Sequence, residues 1–185
     1  MQDKIVYLGF VISTNGLKID PKKVKSILEW PTPKNVGEVR SFHGFASFYR
    51  KFIKNFNVVC NAMIETMRRD KREFVWTHGA DKSFETLKQR VVEFPVLALP
   101  DFNKVFQMEC DVSGSAIGAV LSQKGKPIAF FSEKLNDAKR KYSMYDQEFY
   151  AIVQALKKWR HYLVPKEFVL LLIIRLYSIW EVIIN

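Results

Sequence analysis

The stretch Cys110-Asp-Val-Ser-Gly-Ser-Ala-Ile-Gly-Ala-Val-Leu121 decides the fold of the C-terminal half, because it reads as a strand, a tight turn and a second strand. The first strand ends near Asp111, and Ser113-Gly114 supplies the turn. A second turn at Lys124-Gly-Lys126 leads into a third apolar run. The pattern predicts an antiparallel three-strand meander with strands at residues 104–111, 116–123 and 127–132.

A long helix and a fourth strand follow this meander. Ser143 and Asp146 form a capping box for a helix that runs to about Leu163. The predicted apolar side of this helix consists of Phe149, Ile152, Val153, Leu156 and Trp159. After the helix, Phe168–Ile174 has the continuous apolar content of a strand that is buried on both faces. The expected fold is α+β, with an incomplete α/β domain after a helical region.

The first hundred residues predict a hairpin and then helices. Residues 5–12 read as one strand that turns at Ser13-Thr-Asn-Gly16. Asp20 with Pro21 begins a short helix, and Asn35 with Glu38 begins a longer one. The apolar stripe of the longer helix is Val39, Phe42, His43, Ala46, Tyr49 and Ile53. A further helix follows Thr77, and the prolines at 95 and 100 enforce an extended connector, so we expect a domain boundary near residue 101.

Composition favours a polyanionic partner. The chain has 185 residues, 48% of them hydrophobic, and a net charge of +10, which suits nucleic acid; the alternative is that the basic balance only aids solubility. The basic surplus lies mainly in residues 1–76. Cys60 and Cys110 are far apart and lack metal-ligand spacing, and the amino terminus has a charge where a signal peptide needs its apolar run. We expect an intracellular protein.

Four cations in the helical region are candidates for contacts with phosphates: Arg40, Arg50, Lys51 and Lys54. The alternative is an ordinary solvated face. The phenylalanines around them are Phe42, Phe45, Phe48, Phe52 and Phe56. Their helical spacing favours core packing over base stacking.

The apolar carboxy terminus, residues 168–184, approaches the length of a membrane span. Arg175 and Glu181 interrupt it, and a charge near the bilayer centre costs roughly 2.5 to 3.5 kcal/mol. We therefore expect no membrane partner, and a buried strand followed by a divergent tail.

Asp111 and Glu148 are candidate metal ligands, because they come from a strand and a helix that could meet. Two-metal phosphodiester hydrolysis needs several carboxylates around ions about 3.5 to 4 Å apart. Two alternatives remain open. An aspartate before Ser-Gly commonly forms a turn, and the alternation of Phe106, Met108 and Cys110 places Asp111 on the opposite face; a lone helical glutamate is usually solvated.

Further motifs resemble a known family. The motifs in the second half are residues 110–121, Pro127-Ile-Ala-Phe-Phe-Ser-Glu-Lys-Leu135, Tyr142-Ser-Met-Tyr-Asp-Gln-Glu-Phe-Tyr-Ala151 and Trp159-Arg-His-Tyr-Leu163. Those in the first half are Tyr7-Leu-Gly-Phe-Val-Ile-Ser13, Trp30-Pro-Thr-Pro-Lys34, residues 40–53 and residues 95–101. Together they resemble Ty3/gypsy-type LTR retrotransposon polyproteins, from the reverse transcriptase thumb and connection into ribonuclease H.

The resemblance implies an RNA-directed DNA polymerase and a Mg²⁺-dependent endonuclease that hydrolyses the RNA strand of RNA/DNA hybrids. It implies that Asp111 and Glu148 are the first two acidic ligands and that the basic residues follow the hybrid backbone. It divides the chain into a palm end (1–19), thumb and connection (20–101), a truncated ribonuclease H-like domain (102–175) and a divergent tail (176–185).

The sequence also departs from the family. It lacks a Tyr-x-Asp-Asp polymerase motif, and Ile173 lies where the resemblance implies a third catalytic aspartate. We therefore expect a hybrid-binding fragment that is inactive alone. The alternative is a working ribonuclease H in which Glu109, Asp146 or a partner chain, such as another polyprotein segment, supplies the missing ligands.

Overall fold

The computed structural model describes residues 4–68, 73–93, 95–165, 167–174 and 178–184; for residues 172–174 and 178–182 it describes the backbone only. The chain divides into two compact units, Met1–Val96 (unit 1) and Leu97–Asn185 (unit 2). The finer division into four parts stays a prediction.

Unit 1 begins with a three-stranded antiparallel sheet. Its strands are β1 (Lys4–Tyr7), β2 (Phe10–Ser13) and β3 (Gly16–Ile19), in that order. The prediction of one strand over residues 5–12 is wrong, because the chain turns at Leu8 and Gly9, whose φ angles are 48° and 77°. A Cβ on Gly9 would lie 2.7 Å from the Tyr49 hydroxyl oxygen. Glycine is therefore required here both for its φ angle and for the close approach.

The described residues of unit 1 also form the helices α1 (Pro21–Leu28), α2 (Val36–Phe48), α3 (Phe56–Val59), α4 (Asn61–Thr66) and α5 (His78–Val92). The predicted caps are confirmed, because the Asp20 side chain accepts from the Lys22 amide and Asn35 Oδ1 accepts from the Glu38 amide at 2.9 Å. A 3-10 turn, Arg50–Phe52, continues α2 beyond Tyr49. The two short helices, α3 and α4, were not predicted.

Aromatic rings dominate the core of unit 1. Phe42 and Phe84 are fully buried, and their ring centroids lie 4.5 Å apart. Phe52 and Phe56 are buried as predicted. The prediction is wrong for Phe48, whose side chain is 54% exposed, because it lies at the end of α2 on the face opposite Ala46.

Unit 2 contains a five-stranded mixed sheet in the order β6-β5-β4-β7-β8. The strands are β4 (Phe106–Val112), β5 (Ala116–Gln123), β6 (Lys126–Lys134), β7 (Phe168–Ile174) and β8 (Ser178–Ile184). The predicted antiparallel meander of β4, β5 and β6 is confirmed. β7 joins β4 in parallel, so β4 lies in the centre of the sheet.

The tail forms the fifth strand. No element was predicted after residue 174, but β8 pairs antiparallel with β7 along its whole length, from Phe168 opposite Ile184 to Ile174 opposite Ser178. An apolar strand such as β7 has backbone groups that must be paired on both sides. β8 satisfies those on the side away from β4.

A long helix, α7 (Met144–Leu163), packs on the sheet, and a short helix, α6 (Asp137–Arg140), precedes it. The predicted Ser143 cap is confirmed, since its Oγ accepts from the Asp146 amide at 3.2 Å. The buried residues of α7 are Gln147, Ala151, Ala155, Trp159 and Leu163. The predicted apolar side is therefore wrong at Phe149, which is 68% exposed, because the stripe that faces the sheet is centred on the small alanines.

Candidate metal centre and nucleic-acid interface

Asp111 lies near the end of the central strand β4 and is exposed. Its neighbours Phe106, Met108 and Cys110 pack against α7. Successive side chains of a strand alternate between faces, so the Asp111 carboxylate lies on the face of the sheet away from α7. Gly118 of β5 is its direct partner across the antiparallel ladder.

Glu148 is the fifth residue of α7 and is half-buried. It lies next to the buried stripe, one position after Gln147 and three before Ala151. A carboxylate at the border of an apolar stripe retains partial access to water. The sequence placed Glu148 at this border, and the burial pattern agrees.

The packing of α7 brings Asp111 and Glu148 to the same end of unit 2. Ala151, in the first half of α7, packs with Ile117, and Cys110 and Val112 lie against this cluster. The later residues Trp159 and Leu163 pack in a different cluster, with Phe106. The helix therefore runs antiparallel to β4, and its beginning lies over the end of that strand.

The two carboxylates do not form a complete metal site. Within the described ranges, no group of three or more His, Cys, Asp or Glu side chains is close enough to hold a metal ion. Mg²⁺ requires near-octahedral oxygen coordination. The acidic residues in these ranges therefore do not fit a two-magnesium centre.

The strand next to Asp111, β7, explains why so few acidic side chains meet here. Cys110 and Leu172 are direct partners in the parallel pairing of β4 with β7. The next residues, Asp111 and Ile173, therefore occupy neighbouring positions on adjacent strands. An isoleucine has no oxygen to offer a cation.

The two predicted substitute ligands, Glu109 and Asp146, have other surroundings. Glu109 is half-buried on β4, two residues before Asp111 and hence on the same face. The Asp146 carboxylate accepts a hydrogen bond from Ser143 Oγ at 2.7 Å, so it completes the helix cap. Of the two, only Glu109 shares the face of Asp111.

Two polar residues beside Glu148 were missed by the sequence analysis. Gln147 is buried, and its amide nitrogen donates to the carbonyl oxygens of Arg140 and Tyr142, both at 3.1 Å. A polar residue on a buried helix face is the signal that could have identified it. These bonds hold the start of α7 against the segment that precedes it.

Tyr150 is the second of these residues. Its hydroxyl donates to Glu133 Oε1 at 2.6 Å and is also hydrogen-bonded to Lys139. The Lys139 ammonium lies 3.6 Å from the same Glu133 oxygen. The bond to Tyr150 raises the pKa of Lys139, and burial raises the pKa of Tyr150. Tyr150, Glu133 and Lys139 tie α7 to β6 and α6.

The predicted basic set lies in unit 1. Arg40 is exposed on α2, Arg50 begins the 3-10 turn, and Lys54 follows that turn. Within the described part of the chain, none of these three side chains forms an ion pair. Their charges are therefore free to meet an anion.

Lys51 has a different environment. It is half-buried, and its ammonium lies 4.3 Å from the centre of the Phe10 ring. Burial lowers the pKa of Lys51. The residue therefore packs by a cation–π contact in addition to any contact with phosphate.

One exposed face of α2 was also missed. Arg40, Gly44 and Phe48 follow each other at intervals of four, and all three are exposed. Nothing lies within 4 Å of where a Gly44 Cβ would be, and the Phe48 ring stacks on Phe10 with centroids 5.3 Å apart. The face presents a cation, an open stretch of backbone and an aromatic ring.

No helix in the described ranges combines the length and apolar character of a membrane span.

Residues 76–170 match the family described as "RNase H-like domain found in reverse transcriptase". The chain belongs to this family. Similar proteins include the Drosophila melanogaster Pol polyproteins of transposons 297 (40% identical over 166 residues) and gypsy (38% over 174 residues). The Schizosaccharomyces pombe transposon Tf2-3 polyprotein is 36% identical over 167 residues. These matches confirm the resemblance to retrotransposon polyproteins.

The matches cover 89%, 88% and 88% of this chain but only 16%, 17% and 12% of the three relatives. The chain thus spans less than a fifth of the length of these polyproteins.

Two solved structures share the fold. The foamy viral protease-reverse transcriptase dRH in complex with ds DNA has a TM-score of 0.85 at 19% identity, over 92% of this chain and 31% of that one. The foamy viral protease-reverse transcriptase in complex with RNA/DNA hybrid has a TM-score of 0.85 at 19% identity, over 93% and 24%. At this identity the likeness concerns the fold alone, and it agrees with the expected α+β class.

Proposed function

We propose that this chain is a hybrid-binding fragment of a retrotransposon reverse transcriptase and ribonuclease H polyprotein, and that it does not cleave RNA alone. In this assignment residues 1–19 are the palm end, 20–101 the thumb and connection, 102–175 a ribonuclease H-like domain and 176–185 a divergent tail. Other segments of a polyprotein are its expected protein partners.

The binding proposal rests on three basic residues of unit 1 that form no ion pair with any described residue. Arg40, Arg50 and Lys54 are exposed and lack ion-pair partners among the described residues. Each such side chain that meets a phosphate releases condensed counterions, which favours binding at low salt. The foamy viral neighbours with the same fold are bound to duplex DNA or to RNA/DNA hybrid, which supports this choice of ligand.

The exposed face of α2 adds an uncharged contact. Gly44 leaves the backbone open, and Phe48 offers a ring four residues further along. A-form and hybrid duplexes have a wide and shallow minor groove, where proteins contact sugars and backbone without reading sequence. The convex surface of α2, with its backbone open at Gly44 and the Phe48 ring beside it, suits such a groove.

The proposed loss of cleavage rests on the ligand count at the end of β4. Asp111 and Glu148 are the proposed acidic ligands, and Mg²⁺ is the proposed ion. With Ile173 on the neighbouring strand, two carboxylates remain where the two-ion mechanism requires more. A metal held by two carboxylates lacks the fixed geometry that hydrolysis requires.

The alternative function is a working Mg²⁺-dependent ribonuclease H, an endonuclease that hydrolyses the RNA strand of hybrids. The observation in its favour is that Asp111 and Glu148 lie at the same end of unit 2, with Glu109 on the face of Asp111. In this case Glu109 or a partner chain supplies the third ligand.

Two assays on the same protein preparation distinguish the proposed function from the alternative. Fluorescence anisotropy with a labelled RNA/DNA hybrid, repeated at increasing salt, measures binding, and a gel assay with Mg²⁺ measures cleavage of the RNA strand. We expect salt-sensitive binding without cleavage. Cleavage that is lost in Asp111→Asn would establish the alternative, and an absence of binding at low salt would refute the proposed function.

A further inference from the structure

The five-stranded sheet of unit 2 ends on one side at β8. The strand order is β6-β5-β4-β7-β8, so β8 pairs with β7 on its inner side. Among the described residues, no strand pairs with the outer side of β8. Backbone amide and carbonyl groups along such an edge form a row with which a strand of another chain can pair. The outer side of β8 is therefore a surface for the addition of a β-strand.

The composition of β8 favours such pairing. The strand reads Ser178-Ile-Trp-Glu-Val-Ile-Ile184, and Glu181 is its only charged residue. It contains no proline and no lysine, the residues with which proteins commonly protect an exposed edge. Ile183 is 66% exposed. Segments of six or seven residues with high β propensity, low charge and no proline pair readily with identical segments of other chains.

The opposite edge of the sheet, β6, is protected. β6 begins with Lys126 and Pro127 and ends with Lys134. The backbone amide of Ala98, in the connector, donates to the Pro127 carbonyl oxygen at 2.7 Å, so a backbone group at the start of β6 is already paired. The ladder between β5 and β6 also contains a shift of register, and irregularities of this kind discourage further pairing. Of the two edge strands, only β8 is therefore open to another strand.

We propose that β8 pairs antiparallel with β8 of a second copy of this chain, about a two-fold axis perpendicular to the sheet. The two five-stranded sheets then form one continuous sheet. In the fully overlapped register, Glu181 lies opposite Glu181 of the second copy, and Ile179 lies opposite Ile183 of the second copy. Every other pairing is made twice, as in any isologous interface.

The nature of the edge selects a second copy as the partner. The free backbone groups of an edge strand are satisfied along their whole length only by another strand. A second copy brings a strand of the same length and the same apolar, proline-free sequence, and it has the same open edge to satisfy. Because the β6 edges are protected, the assembly ends at two copies.

The helix on the sheet leaves room for this pairing. α7 packs mainly on β4 and β5, and β7 and β8 lie beyond β4 in the sheet. The two-fold axis places both copies of α7 on the same face of the joined sheet. Since neighbouring strands are about 4.8 Å apart, the two helices lie several strands from each other and do not overlap.

The proposed interface is small. Each copy contributes one strand of seven residues, which is less than a standard protein interface. Two glutamates lie directly opposite each other, and like charges in that position weaken a strand pair. We therefore expect a dimer that dissociates on dilution. The pairing is independent of hybrid binding, which is assigned to unit 1.

Sedimentation velocity of the full chain over a dilution series tests the proposal. We expect a monomer–dimer equilibrium, and Ile183→Lys should weaken the dimer by at least about tenfold, because a lysine on an edge strand opposes pairing with another edge. The exposed side chain of Ile183 makes loss of the fold unexpected. Val105→Lys is the matched control, since Val105 is an exposed apolar residue of unit 2 outside β8. Circular dichroism checks that each variant is folded.

A mixing experiment tests the register. Glu181→Lys places lysine opposite lysine in its own dimer, but opposite glutamate when it pairs with the original chain. Native mass spectrometry of an equal mixture should therefore show more mixed dimer than random pairing gives.

Four results would overturn the proposal. The first is a monomer at all concentrations, and the second is an assembly that grows beyond two copies. The third is a dimer that Ile183→Lys weakens no more than Val105→Lys does. The fourth is a mixed dimer of Glu181→Lys with the original chain that is no more abundant than random pairing gives.

Discussion

Asp111 on β4 and Ile173 on β7 occupy neighbouring positions on parallel strands, one residue beyond the paired Cys110 and Leu172. A carboxylate at position 173 would share the strand end with Asp111. The isoleucine there has no oxygen to offer a cation, although the β4–β7 pairing itself is intact.

Ile173→Asp is therefore expected to increase affinity for divalent cations. Titration with Mn²⁺, followed by electron paramagnetic resonance, should show at least about tenfold tighter binding than in the original chain. Ile173→Asn is the matched control, because it is polar and similar in size but uncharged. If Asp111→Asn does not remove the gain in the Ile173→Asp background, the proposed neighbourhood of the two positions is wrong.

Removing single cations from the basic set should change the salt dependence of hybrid binding. Arg50→Ala or Lys54→Ala should each reduce the slope of log affinity against log salt by about 0.7 to 0.9, the loss of one phosphate contact. Neither change should alter the stability of unit 1, because both side chains are exposed. Lys22→Ala on α1 is a control for loss of charge elsewhere in the same unit.

Lys51→Ala should behave differently from these variants. Its ammonium packs over Phe10, so the substitution should also lower the free energy of unfolding by about 0.5 to 1 kcal/mol. Urea unfolding monitored by tryptophan fluorescence measures this loss. A Lys51→Ala variant as stable as Lys54→Ala would contradict the packing role.

Gly9→Ala should destabilise unit 1. Gly9 has a φ of 77°, and a Cβ would come within 2.7 Å of the Tyr49 hydroxyl oxygen, so strain and overlap together should cost about 1 to 3 kcal/mol. Gly44→Ala is a control that should change the free energy of unfolding in the opposite direction. Nothing lies close to α2 at that point, so alanine should stabilise the helix by about 0.5 to 1 kcal/mol. Urea unfolding of both variants gives the comparison.

Unit 2 should lose stability in alkali. The pKa values of Tyr150 and Lys139 are both raised in the folded state. A raised pKa contributes stability that is present below the pKa of the unfolded chain, about 10 for both groups, and is lost as pH rises through the folded value. Urea unfolding between neutral pH and strong alkali should show the decline.

Tyr150→Phe should remove the part of this loss of stability at high pH that comes from the tyrosine. The same variant at neutral pH should lose about 0.5 to 1.5 kcal/mol for its hydrogen bonds. Tyr145→Phe, an exposed tyrosine on the same helix, should change neither quantity. An equal effect of the two substitutions would refute the role of the Tyr150, Glu133 and Lys139 contacts.

Local signals accounted for much of the fold. The caps at Asp20, Asn35 and Ser143 were readable because a capping side chain bonds to backbone two or three residues away. The meander was predictable from its short apolar strands and turn residues, and β7 from its continuous apolar content. The motifs around Asp111 and Glu148 also gave the family, which the match over residues 76–170 confirmed.

Other features depended on residues distant in sequence. The need for glycine at position 9 comes from the approach of Tyr49, forty residues later. The exposure of Phe48 and Phe149 depends on which side of each helix the neighbouring elements cover. The spacing of apolar residues shows that a helix has a buried side, but it does not decide between adjacent sides that are both apolar. The pairing of β8 with β7 depends on the open edge that β7 presents.

The amino-acid sequence alone determined which residues carry charge, where the longer helices begin, where the strands β4 to β7 lie, and that an isoleucine lies where an acidic ligand was expected. Only the tertiary structure decided that Asp111 and Glu148 reach the same end of unit 2, that Phe48 and Phe149 stay exposed, and that β8 pairs with β7. The reason is physical: propensity and capping act within a few residues of the chain, whereas strand register and helix packing are set by burial between segments far apart in sequence.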